Sequence, residues 1–146
     1  MAAEEKSEGS DPRILVFSTN TISDPGIDFA GSSHLHYSPS VLVLSLPCSS
    51  GIKPDWILRA VNAGFNGVFV AADGSDCIYT RDCTERTAAL TERAQKLLEE
   101  HGHDARRVKM AAICSVCAES FVSHLENFKE LLRGLGPVRK DKYNDV

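Results

Sequence analysis

Four short apolar runs punctuate the chain: "RILVFS" (residues 13–18), "VLVLSL" (41–46), "GVFVAA" (67–72) and "VKMAAIC" (108–114). Runs of this length without polar alternation mark strands buried on both faces. Between them the apolar positions recur at helical spacing. In "KPDWILRAVNAG" Pro54 suits a first helical turn, Asp55 sits beside the positive helix end, and Gly64 is a stop. Ile57, Leu58 and Val61 then share one face. In "CTERTAALTERAQKLLEEHG" Thr84 is the expected N-cap and Glu85 lies in the first turn. Leu90, Ala94, Leu97 and Leu98 form the apolar stripe there, and Gly102 ends it. "AESFVSHLENFKELLRGLG" sets Phe121, Leu125, Phe128, Leu132 and Leu135 at helix spacing. Strand runs alternating with helical patterns predict βα units and a parallel sheet covered by helices, an α/β fold. "GIDFAGSSHLHY" is read as a short helix from Asp28 onward.

Composition fixes the class rather than the function. The 146 residues suit one domain, expected over 12–137. The acidic, polar start at 1–11 reads as a disordered leader and the charged "VRKDKYNDV" (138–146) as a tail. A net charge of -4 with no concentrated basic patch argues against nucleic-acid binding. No apolar run approaches the roughly eighteen residues of a membrane span. The opening residues do not form a signal peptide, so the expected compartment is the reducing cytoplasm. There, an odd number of cysteines, five, reads as free thiols or metal ligands rather than disulfides.

The positions of these cysteines matter more than their number. Ligands of open α/β sheets collect beyond the carboxyl ends of the strands. Cys48 follows the second run by two residues, Cys77 and Cys83 follow the third, Cys114 ends the fourth, and Cys117 comes three residues later. If the runs are parallel, all five thiols share one edge. Cys114 and Cys117 make a C-x-x-C, which lets two sulfurs face one metal ion. With Cys48 and Cys77 they supply four thiolates, enough for an iron–sulfur cluster or tetrahedral zinc, with Cys83 as the substitute. Two other readings stand beside this one: cysteine as a small buried hydrophobe, and a thioredoxin-like pair at Cys114 and Cys117. Elsewhere His34 and His36 alternate near a loop, and Asp73 and Asp76 flank a turn. Solvation and turn formation explain them. Phosphate-loop, nucleophile-elbow and zinc-protease motifs are absent, so no catalytic set is expected.

The order of "RILVFSTN", "GIDFAGSSHLHYSPSVLVLSLPCSSGIKPDWILRAVNAGFNGVFVA", "GSDCIYT", "ALTERAQKLLEEHG" and "LLRGLGP" resembles the delta subunit of methyl-viologen-reducing hydrogenase. The resemblance runs from Arg13 to Pro137. It implies a flavodoxin-like open sheet of about four parallel strands with helices on both faces, carrying a [2Fe–2S] cluster. It also implies a non-catalytic subunit of an oxidoreductase complex, relaying electrons to or from a heterodisulfide-reductase-like flavoprotein and other redox subunits. The chain departs from the family pattern after the first run. A Cys-Cys-Asn-x-x-Cys turn is expected there, yet the sequence has "STNTI", with Ser18 and Thr19 where thiols belong. The cysteine expected at the end of the third run is replaced within "AADGS". Only Cys48 and Cys77 match motif positions, while Cys83, Cys114 and Cys117 are additions. Two accounts follow. Either the cluster has moved onto the added thiols, with Thr19, Asn20 and Ser49 hydrogen-bonding to sulfur, or it is lost and the domain serves as a structural adaptor.

Overall fold

The computed structural model describes residues 12–19, 40–72, 82–113, 118–136 and 138. The elements run β1 (Ile14–Thr19), β2 (Val41–Leu46), a 3-10 turn (Ser49–Gly51), α1 (Pro54–Asn62), β3 (Gly67–Ala72), α2 (Cys83–Glu100), a second 3-10 turn (Ala105–Arg107), β4 (Val108–Ala112) and α3 (Ala118–Leu135). All four strands pair in parallel, in the order β2-β1-β3-β4. This is the expected α/β open sheet. The 28–31 helix, the 1–11 leader and nearly all of the 138–146 tail lie outside the described residues.

Helices cover both faces. β2→β3 and β3→β4 step the same way along the sheet, so right-handed crossovers place α1 and α2 on one face. Leu15, Phe17, Val68 and Val70 point to that face and pack with Ile57, Ala60, Val61, Leu90, Ala94 and Leu98. Alternate strand residues Ile14, Val16, Phe69 and Ala71 point the other way and pack with Phe121, Leu125, Phe128 and Leu132 of α3. Each of those four α3 side chains contributes about 1.5–3 kcal/mol by leaving water. The apolar stripes expected for all three helices are therefore the ones that become buried, with Leu58, Leu97 and Leu135 at their margins.

Two expectations need correction. The strand runs are not all buried on both faces: β1 and β3 are, but β2 and β4 are edge strands with partly open faces. Apolar composition alone cannot distinguish a central strand from an edge, because the distinction arises from strand order. α2 also starts earlier than expected. Asp82 occupies the N-cap and Cys83 the first turn, so Thr84 lies inside the helix with its Oγ1 buried and unpartnered. β4 ends at Ala112, although the Ile113 N–H still donates to Ala72 O at 2.8 Å.

The amino end of the sheet is latched by polar groups. Asn66 accepts from the Arg13 N–H through Oδ1 at 3.0 Å, and its own N–H donates to Arg13 O at 2.8 Å. The buried Arg107 guanidinium donates to Asn66 O and to Gly136 O, both at 3.0 Å, tying the end of α3 to the start of β3. Gly136 has φ 76, a left-handed turn that ends the helix as glycine allows. With this end closed by structural bonds, the carboxyl edge is left for chemistry.

Candidate functional site

β2 delivers the chain to Pro47 and Cys48, after which the Ser49–Gly51 turn folds back under the sheet edge. β3 ends at the same edge, and α2 departs from it beginning with Cys83. These two connections meet: Cys48 Sγ lies 3.8 Å from Cys83 Sγ. Cys83 is fully buried at 0% exposure, whereas Cys48 is half-buried. Two of the five expected site cysteines are thus brought together. Cys77, Cys114 and Cys117 lie outside the described residues, as do Asn20, His34, His36, Asp73 and Asp76. Among the described residues no group of three or more His, Cys, Asp or Glu side chains is placed to hold a metal ion.

Hydroxyl groups surround the buried sulfur. Thr87 Oγ1 donates to the Cys83 carbonyl at 2.7 Å, one turn back along α2. That bond uses its single hydrogen, so the 2.8 Å contact with Ser49 Oγ is a donation from Ser49. Ser49, its hydrogen spent in turn, can only accept from the Cys83 thiol at 3.5 Å. The chain of bonds fits a protonated Cys83. When the sulfur carries charge, rotation of the Ser49 hydroxyl reverses the last bond and turns it into a donor to sulfur. Ser50 Oγ stands 2.9 Å from Cys48 Sγ and offers the same service there. Ser49 is the hydroxyl expected near sulfur from sequence, and the structure places it there; Thr19 is buried at the end of β1.

Positive groups stand at the start of α2 beside the pair. Cys83 opens an 18-residue helix, whose free N–H groups present partial positive charge to it. Arg86, one turn further on, donates from Nε to Asp82 Oδ2 at 2.8 Å. Its basicity is raised chiefly by that hydrogen bond and by the Asp82 charge, and further by the proximity of Cys48 and Cys83. The sequence reading missed Arg86 and Thr87. The signal available was their i+3 and i+4 spacing from Cys83, legible only once Cys83 is known to begin the helix.

The profile of the family described as methyl-viologen-reducing hydrogenase, delta subunit, matches residues 14–136. The chain belongs to this delta-subunit family. Among its relatives, the iron-sulfur subunit of the F420-non-reducing hydrogenase of Archaeoglobus profundus is 29% identical, covering 93% of this chain and 99% of that protein. The vhu iron-sulfur subunit of the F420-non-reducing hydrogenase of Methanopyrus kandleri is 32% identical, over 76% of this chain and 84% of that protein. The large ferredoxin:CoB-CoM heterodisulfide reductase chain of Methanosarcina mazei is 30% identical over 87% of this chain, but the match spans only 16% of that protein. The delta-subunit domain therefore occurs both as a separate chain and as a small part of a much larger one. In this member Ser18 and Thr19, 1% and 0% exposed, close the carboxyl end of β1 with hydroxyl-bearing side chains. No helix among the described residues is long and apolar enough to cross a membrane.

Proposed function

We propose that this chain is the electron-transfer subunit of a cytoplasmic multi-subunit redox complex, holding a [2Fe–2S] cluster beside a heterodisulfide-reductase-like flavoprotein subunit. The observation that carries the reading is the 3.8 Å separation of Cys48 and Cys83. A tetrahedral metal ion bound about 2.3 Å from each thiolate keeps two of its sulfurs about 3.8 Å apart. The pair fits two ligands on one metal, and Cys77, Cys114 and Cys117 follow strands that end at the same edge and can supply the rest. When bound, the cluster provides a one-electron redox centre. The chain's own residues bind and tune it. The α2 N-terminus and Arg86 offset thiolate charge, and the Ser49 and Ser50 hydroxyls turn toward sulfur, each of which raises the ease of reduction. The presence of the same domain within a heterodisulfide reductase chain supports the choice of neighbour.

One observation favours a second reading. The buried hydroxyls of Ser18 and Thr19 stand where the resemblance places family thiols, and hydroxyls are poor ligands for iron beside thiolates. A clusterless adaptor in the same complex would need no replacement ligands. Iron and acid-labile sulfide content, with an electronic spectrum, separates the two on the anaerobically purified complex. The Cys48→Ala/Cys83→Ala variant is expected to lose one cluster's worth of iron and sulfide while the subunits still co-purify. Unchanged iron would overturn the ligand assignment and favour the adaptor.

A further inference from the structure

We propose that Cys48 and Cys83 also form a reversible redox pair, in which a low-molecular-weight disulfide converts the two thiols into a Cys48–Cys83 disulfide. The inference uses the sulfurs assigned above to the metal but does not depend on the cluster. Bond formation removes both as thiolate ligands, so the disulfide and the metal-bound form exclude one another.

The geometry assigns distinct parts to the two residues. Cys48 lies on a turn, half-buried and reachable, while Cys83 is buried on the first turn of a long helix. A pair with one accessible sulfur and one enclosed sulfur behind it performs exchange in two steps. The Cys48 thiolate attacks one sulfur of the incoming disulfide, forms a mixed disulfide, and expels one thiolate. The Cys83 sulfur then attacks Cys48 Sγ, forms the intramolecular bond, and expels the second thiolate. The two cysteine protons pass to the two departing thiolates through solvent. Two cysteine thiols lose two electrons and one external disulfide gains them, leaving two external thiols.

Little movement is required. The sulfurs start 3.8 Å apart and close by about 1.8 Å to bonding distance. Cys48 provides this motion, because it sits outside regular structure, whereas Cys83 is anchored in α2 beside Thr87. The surroundings suit the chemistry. Ser50 Oγ lies 2.9 Å from Cys48 Sγ and Ser49 Oγ 3.5 Å from Cys83 Sγ, so each sulfur has a hydroxyl within reach during exchange.

The test uses the full chain, reduced and metal-free, equilibrated anaerobically in glutathione buffers of rising oxidised fraction. Samples are acid-quenched, alkylated, proteolysed without reductant and mapped by mass spectrometry. Cys48 and Cys83 are expected to lose alkylation together, with one cross-linked peptide replacing both and reduced glutathione reversing it. Cys83→Ser is expected to trap glutathione on Cys48, with at least about tenfold more adduct than the wild type. Cross-links from either residue to Cys77, Cys114 or Cys117 instead, persistent alkylation of both, or accumulation of the Cys48 adduct in the wild type would each overturn the pair. The wild-type map requires no substitution, so misfolding of a variant cannot mask the answer. The result is also independent of the iron measurement. A cross-link with unchanged iron supports the redox pair against ligation, and iron loss without a cross-link does the reverse.

Discussion

His124 shows how one side chain records its surroundings. It lies on α3, part-buried, with its ring tilted at 6.2 Å from that of Phe69. Burial lowers its pKa, and the nearby Lys109 charge lowers it further. The depressed value means that the unfolded chain binds the proton more readily than the folded one. His124 therefore contributes stability that is complete above about pH 6.5, the unfolded value, and is lost as pH falls through the folded value. Denaturant midpoints between pH 7 and pH 5 are expected to fall less for His124→Gln than for the wild type. Parallel curves would mean that the imidazole ionises as freely in the fold as in the open chain. Cys83 records its surroundings too, through the Ser49 hydroxyl 3.5 Å from its sulfur. Both environments follow from the third dimension: neither Lys109 for His124 nor Ser49 for Cys83 is a neighbour in sequence.

At the scale of elements, packing depends on a missing side chain. Gly67 opens β3 directly beneath α3, and a Cβ there would stand 2.6 Å from Leu132 Cδ1 and 2.7 Å from Phe128 Cζ. Both side chains are buried, with little room to retreat. Gly67→Ala is expected to cost about 1–3 kcal/mol through overpacking, read as a lower denaturant midpoint with an unchanged slope. A neutral result would mean that α3 can lift from β3 without penalty. The elements themselves were legible because their signals are local: Pro54, Gly64 and Gly102 punctuate the helices, and the stripes of α1, α2 and α3 repeat at helical spacing. Strand order was not, since nothing within "VLVLSL" separates it from "GVFVAA" as an edge strand. The site was legible in part. Strand polarity alone directed the cysteines to one edge, but the meeting of Cys48 with Cys83 depends on where α2 begins. The Thr84 signal placed that start too late in the chain, which hid Arg86 and Thr87.

At the scale of the molecule, the exposed edge strand sets the behaviour of the isolated chain. By register, Leu42 pairs with Leu15 and Leu44 with Phe17, so both leucines face the side covered by α1 and α2. Those helices lie over the centre of the sheet and leave Leu42 49% and Leu44 44% exposed. Trp56, near the start of α1, is 40% exposed as well. An edge strand with apolar side chains is a template for association, and natural edges are usually blunted by charge. β2 carries no charged residue in "VLVLSL", and a net charge of -4 over 146 residues is weak protection. The chain purified alone is expected to self-associate with rising concentration, and Leu42→Lys/Leu44→Lys to hold it monomeric in light scattering. Because about half of each leucine is in water already and neither belongs to the buried core, stability should change by no more than about 0.5 kcal/mol. A larger loss would mean that the leucines belong to the core. Unchanged association with unchanged stability would shift attention from the sheet edge to other surfaces. Monomeric behaviour after substitution would identify β2 as the surface that the folded domain leaves uncovered.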